Sequence, residues 1–233
     1  MYFKIFLFLT ISLFISGCST KSISKENISS FKKIGILPLL RNDIKVYDMK
    51  KGFINIDVAN WELNNTFSKK YSKYLKEQVS SDILILDNKE LYIGYKYLHS
   101  GLDRFYYDDS IKENIKEIIR KNNLDVIIII TRSQVTANSS LNPVSIGLGQ
   151  GKFMGEFTNV FVYLLYHAYS LKDNKLSLEG ESDRVTVDKI NGHLWNYDNI
   201  FNNNELSYMK ISIDKYLDDS MKNSFIDMGF YIE

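Results

Sequence analysis

The sequence predicts an α/β (α+β) fold, a mixed β-sheet that includes a long antiparallel hairpin and has helices packed on it. Three observations predict it. Residues 126–130 are five consecutive β-branched residues, the pattern of a strand buried on both faces. Residues 156–187 read as two long strands joined at Asp173-Asn174, a turn pair. Three segments, 61–79, 109–122 and 205–228, repeat apolar residues every three or four positions, as amphipathic helices do.

The first strand is FKKIGILPLL, residues 31–40, with Ile34, Ile36 and Leu37 buried and Pro38 marking its end or an edge. Residues 41–51 form a charged connection. In residues 53–58, Phe53, Asn55 and Asp57 alternate with Ile54, Ile56 and Val58, so a half-buried strand is expected. Asn60 is the expected N-cap of the first long helix, whose stripe is Leu63, Phe67, Tyr71, Tyr74, Leu75 and Val79. Residues 82–86 make a short apolar strand. Residues 88–97 suggest a short helix, broken at His99-Ser100-Gly101. Asp108 or Asp109 caps the second long helix, with Ile111, Ile115, Ile118 and Ile119 on one stripe. The strand LDVIIIIT, residues 124–131, is the expected centre of the sheet. Residues 138–143 form a loop, and residues 188–204, rich in asparagine around Trp195, form another. The closing helix carries Leu206, Met209, Ile213, Leu217, Met221, Phe225 and Met228, and Gly229 ends it at C′.

The chemistry-bearing residue types form no catalytic pattern. Gly147, Gly149 and Gly151 suggest a phosphate loop, but position 152 is lysine and the next segment is strand-like, so the dinucleotide fingerprint fails. The stretch reads instead as a glycine-rich β-edge or loop. Leu148, Phe153 and Met154 beside the glycines make it a candidate partner or membrane contact, with a buried connection as the equal alternative. Of His99, His167 and His193, none has a second histidine at ligand spacing, and His167 sits between Tyr166 and Ala168 inside an apolar strand. There is no Gly-x-Ser-x-Gly and no His-Glu-x-x-His. Asp108-Asp109 reads as a helix cap and Asp218-Asp219 as a solvated helix face. The abundant tyrosines read as packing over a sheet, with glycan or peptide binding as the alternative. Neither a catalytic nor a metal site is expected.

The amino terminus is more specific. Lys4 precedes an apolar run at residues 5–16, too short for a bilayer span of about 20 residues. The run ends in Ile15-Ser16-Gly17-Cys18, and Cys18 is the chain's single cysteine. These features form a charged, an apolar and a small-residue cleavage region. The ending resembles the lipobox of bacterial lipoproteins, which implies cleavage between Gly17 and Cys18 and lipidation of Cys18. An uncleaved anchor and a plain secretory signal are the alternatives. Several acyl chains, at about 0.8 kcal/mol per buried methylene, make such an anchor effectively permanent. Ser19 in place of aspartate implies the periplasmic face of the outer membrane rather than the inner membrane.

The expected organisation is a signal peptide at 1–17, a lipidated cysteine and flexible tether at 18–30, and one globular domain at 31–233. Removing residues 1–17 leaves 216 of the 233 residues, with 28 basic and 28 acidic side chains once Lys4 is gone. A neutral domain gives no reason to expect nucleic acid as a partner. With its only cysteine in the anchor, the domain has no disulfide, and no cofactor is expected beyond the covalent lipid.

The layout then resembles the curli-secretion lipoprotein (CsgG-like) family and domains similar to the amino-terminal part of TolB. The matching pieces are KKIGILPL after the anchor, Ile83-Leu-Ile-Leu-Asp87 after a helix, the junction Leu124-Asp125-Val126-Ile127, and a long strand ending in Leu171-Lys-Asp173. The chain departs from the family at Asn174-Lys175 and in residues 188–204. The resemblance covers residues 31–187 and implies an envelope protein that works through its surfaces, with no catalytic residue to carry over. The expectation is a lipid-anchored, non-enzymatic protein that binds another envelope component or itself. An envelope hydrolase and an oligomeric secretion-pore subunit are the alternatives; residues 156–187 are long enough for one spanning strand pair.

Overall fold

The structure is a computed structural model that describes residues 20–40, 42–48, 52–87, 98–100, 104–106, 109–132, 146–152, 156–191 and 203–230. Helices are α1 (Lys25–Ser30), α2 (Leu63–Gln78), α3 (Asp109–Asn122) and α4 (Asn203–Met228). The strands are β1 (Lys33–Leu39), β2 (Asp43–Asp48), β3 (Gly52–Asp57), β4 (Asp82–Ile85), β5 (Leu98–Ser100), β6 (Arg104–Tyr106), β7 (Val126–Arg132), β8 (Ile146–Lys152), β9 (Glu156–Lys172) and β10 (Lys175–Asn191). The fold is α/β with a mixed sheet, as the sequence predicts.

The main sheet has the order β3-β2-β8-β9-β7-β1-β4, with β10 on the other side of β9. β1 runs parallel to both β4 and β7, while β9 is antiparallel to β7, β8 and β10. The hub is therefore β9 and not β7. One edge of β9 carries β10 along its length. Its other edge is shared, with Phe157 to Val162 facing β8 and Leu164 to Tyr169 facing β7. β7 has all seven residues buried, in keeping with its β-branched run.

The sheet is covered on both faces. α2 and α4 lie over one face, where Tyr71, Leu75, Met209, Ile213, Met221 and Phe225 meet Ile34, Ile36, Val126, Ile128, Leu164 and Tyr166. α3 lies over the other, with Ile111, Ile115, Ile118 and Ile119 on Leu37, Leu39, Ile127 and Ile129. The alternation of β1 between the two clusters follows from the period of two. Tyr71 stacks on Phe67 at 5.8 Å and on Tyr166 at 6.0 Å, and its ring lies 4.6 Å from Phe225. The Tyr166 hydroxyl meets Ser220 Oγ at 2.9 Å. Burial raises both phenols well above their ordinary range, and the Ser224 and Ser220 hydroxyls offset only part of it. These two tyrosines are core, not a binding surface.

The sequence misplaces several elements. Residues 43–48, expected as a connection, form β2 and pair with both β3 and β8. Asn60 is not a cap: Ala59–Trp61 is a short 3-10 turn, Asp57 Oδ1 accepts from Ala59 N at 2.8 Å, and Glu62, at φ 48°, precedes α2. Burial of Trp61 draws this turn against the core. Pro38 pairs with Ile130 on one side, and on the other β4 has already ended, its last partner being Ile36. Its missing N–H therefore costs no ladder bond. β10 runs on to Asn191, four residues into the expected loop. The expected helix at 88–97 and the loop at 138–143 lie outside the described residues.

Candidate functional site

The largest departure concerns residues 20–30, expected as a flexible tether. They are docked. Lys21 and Glu181 exchange two backbone hydrogen bonds of 2.9 Å, an antiparallel bridge on the outer edge of β10. The Lys21 ammonium donates to Leu178 O. Two residues on, Ile23 N donates to Met228 O at 3.0 Å, and the Ile23 side chain is 3% exposed. Ser24 then caps α1 by accepting from Asn27 N at 3.2 Å, and Ile28 enters the core. Each buried isoleucine contributes about 2 kcal/mol.

Two glycines make room for this segment. A Cβ on Gly180 would lie 2.8 Å from Ile23 Cγ1. A Cβ on Gly229 would lie 2.6 Å from both Ile23 O and Ser22 Oγ, and Gly229 has φ +82°. The second glycine ends α4 as expected, and it also opens the slot that the amino-terminal segment fills.

Glu181 also reaches inward. Its Oε1 is 3.4 Å from His167 Nε2, and the two residues are register partners across β9 and β10. His167 is 1% exposed. Nearby, Tyr163 donates to Asp183 Oδ2 at 2.9 Å, and Ser182 donates to Asp227 Oδ2 at 2.6 Å. A bulge between Leu178 and Gly180 brings in Glu179, which accepts from Ser170 Oγ at 2.6 Å and pairs with Lys172 at 2.8 Å. Burial alone would raise the Glu179 carboxyl. The bonds from Lys172, Ser170 and Ser177 outweigh it and hold the group below the usual carboxylate range. The polar side chains of this hairpin thus hold its two strands together and tie β10 to α4.

The residues singled out in the sequence fall apart in space. Gly147, Leu148, Gly149 and Gly151 belong to β8, an internal strand and not an edge or loop. Leu148, for example, lies between Val46 of β2 and Val160 of β9. Phe153, Met154, Gly17 and Cys18 lie outside the described residues, as do His193 and Asp108. Asp218 pairs with Lys70 of α2 at 2.9 Å, so the acidic pair at 218–219 is partly an interhelix contact. Among the described residues no three His, Cys, Asp or Glu side chains gather as metal ligands would. No described helix is long and apolar enough to cross a membrane. The docking of residues 21–28 left only Ile23 and Ile28 as a signal, two isolated apolar residues with no period.

No family model matches the chain, and no curated protein matches it. Solved structures that are weakly similar include the following two. A variant of PelC from Paraburkholderia phytofirmans, described as a dodecamer, has a TM-score of 0.32 and 9% identity, covering 86% of this chain and 94% of that one. The hypothetical protein CT253 from Chlamydia trachomatis has a TM-score of 0.31 and 8% identity, with coverages of 81% and 96%. At these scores neither likeness assigns a fold or a function to the chain.

Proposed function

We propose that this is a lipid-anchored, non-enzymatic protein of the bacterial cell envelope that binds or helps to assemble another envelope component. The observation that carries the proposal is Ile15-Ser16-Gly17-Cys18, with the chain's single cysteine at the lipidation position. The layout of the domain supports it. A folded unit begins at Lys21, directly after the anchor, and the described polar side chains of the hairpin hold β9 to β10 and β10 to α4. The outer membrane is the favoured location, with the lipid as the only attached group.

An envelope hydrolase is the second reading, and the His167–Glu181 pair is the observation in its favour. The near-complete burial of His167 speaks for a structural pair. For a pore subunit the hairpin would have to leave the sheet. Here β9 is paired on both sides from Phe157 to Val162 and again from Leu164 to Tyr169.

Cys18→Ser tests the anchor. The wild type is expected to fractionate with membranes and to incorporate labelled palmitate. The variant is expected to appear in the soluble fraction or to accumulate as a longer precursor. Identical fractionation and migration of the two would refute lipidation. Light scattering of the detergent-extracted protein then separates a tethered adaptor, expected as a monomer or dimer, from a ring-sized assembly.

A further inference from the structure

The connection between the anchor and the domain is short enough to set how the domain stands on its membrane. Lys21 is clamped to Glu181 by two backbone bonds, and Ile23 is buried beneath the end of α4. Lys21 lies three residues after Cys18, and three extended residues reach about 11 Å. The clamp sits on the outer edge of β10. From there the sheet continues through β9, β7 and β1 to β4. Four strand spacings of about 4.8 Å put β4 about 19 Å beyond β10.

Resting on the lipid-anchor reading, we infer that the outer edge of β10, with the docked residues 20–23 and the start of α1, faces the lipid bilayer, and that β4 points away from it. The occupant of this surface is a lipid headgroup layer. A tether running freely from 18 to 30 would let the domain tumble. Clamping at Lys21 leaves a leash shorter than the domain is wide. Among the described residues, only Lys21 pairs with the outer edge of β10. An open edge of this kind invites pairing with foreign strands. A bilayer held within about 11 Å leaves little room for one to approach.

The test uses the full-length lipidated protein, reconstituted from detergent into phosphatidylethanolamine and phosphatidylglycerol vesicles that contain a lipid with a quenching headgroup. With Cys18 consumed by lipid, an introduced cysteine is the only free thiol. A fluorophore is placed at Lys25→Cys, exposed at the start of α1, or at Ile85→Cys, 41% exposed on β4. The label at 25 is expected to be quenched severalfold more strongly than the label at 85. A second variant inserts about ten Gly/Ser residues between Ser19 and Thr20, a coil of about 5–6 Å × √n. It leaves the domain unchanged and is expected to bring the two labels to equal quenching. Equal quenching without the insertion, in protein that floats with the vesicles, overturns the orientation and leaves the anchor standing. A contrast that survives the insertion overturns the leash as its cause, and the inference with it. Protein that does not float and whose Cys18 thiol reacts with the fluorophore overturns the anchor reading itself.

Discussion

The Asp125 carboxylate accepts hydrogen bonds from the backbone N–H groups of Lys32 and Lys33, each at 2.8 Å. One oxygen at the start of β7 therefore sets the start of β1, and Lys33 O returns the contact by accepting from Asp125 N. Such charge-assisted bonds exceed a neutral pair. Asp125→Ala is expected to lower stability by about 1–2 kcal/mol, read as a lower urea midpoint with unchanged m. The sequence marked this junction by resemblance but not what the side chain does. An aspartate before a strand looks like any turn residue until its partners, more than ninety positions away, are placed.

Two further carboxyls carry opposite pH signatures. Burial raises Asp214, with Asp218 adding to it and Lys70 and Lys210 opposing. The folded state then holds its proton more tightly than the unfolded chain does, so stability is lost as pH rises through the carboxylate range. Asp214→Asn is expected to raise Tm at neutral pH and to change nothing in acid. Glu179 is the reverse case, because its folded value is lowered. Its contribution is present above the ordinary carboxylate range and is lost as pH falls through the folded value. Glu179→Gln is expected to lower Tm at neutral pH, with the deficit closing in acid. Melting curves across pH for the pair check both signs.

At the scale of elements, the docked amino-terminal segment yields a sharper prediction. Gly229→Ala combines a left-handed φ with a backbone clash, while Gly180→Ala presses on a side chain. The first is expected to cost about 1–3 kcal/mol and the second less. Both are expected to speed amide exchange at Lys21 and Ile23 before the core opens. Equal exchange in wild type and variants would show that the glycines do not shape the slot.

Elements with a clear period were legible: β1, β4, β7, the β9–β10 hairpin, α2, α3 and α4. The turn was legible too, since Asp173 and Asn174 take φ 49° and 63°, where these residues are tolerated. The missed elements lack a period of their own. β2 carries Ile44 and Val46 among charged and polar neighbours, so its apolar signal is two residues long. β8 is a run of glycines that becomes a strand because β2 and β9 pair with it from either side. Ile23 became core only when β10 and α4, far along the chain, supplied the surface. In each case tertiary pairing outweighs local pattern.

At the scale of the molecule, the sheet is two wings joined along one strand. β3, β2 and β8 form one wing, and β7, β1 and β4 the other. Where they part, Arg132 at the end of β7 faces Asp43 at the start of β2. Its Nη1 lies 3.2 Å from Asp43 Oδ1, and its Nη2 donates to Asp43 O. Arg132 is 7% exposed. Asp43→Ala removes the carboxylate facing a buried guanidinium and is expected to cost about 3 kcal/mol. Exchanging both residues for apolar ones of similar volume is expected to recover most of that loss, and denaturant titration of the three proteins would show it.

The shared strand also orders events in time. β9 begins at residue 156 of 233, so an elongating chain has both wings' strands emerged before the strand that joins them. The β9–β10 pair closes through two residues and is the cheapest long pairing to form. The β2–β3 and β8–β9 pairs are short hairpins too. The pairings that join these pieces into one sheet, β1 with β4 and β7, β2 with β8, and β7 with β9, must search across tens of residues, which makes closure late and slow. A chain built this way stays unclosed for most of its synthesis, the condition in which a polypeptide can still be threaded through a narrow translocation channel.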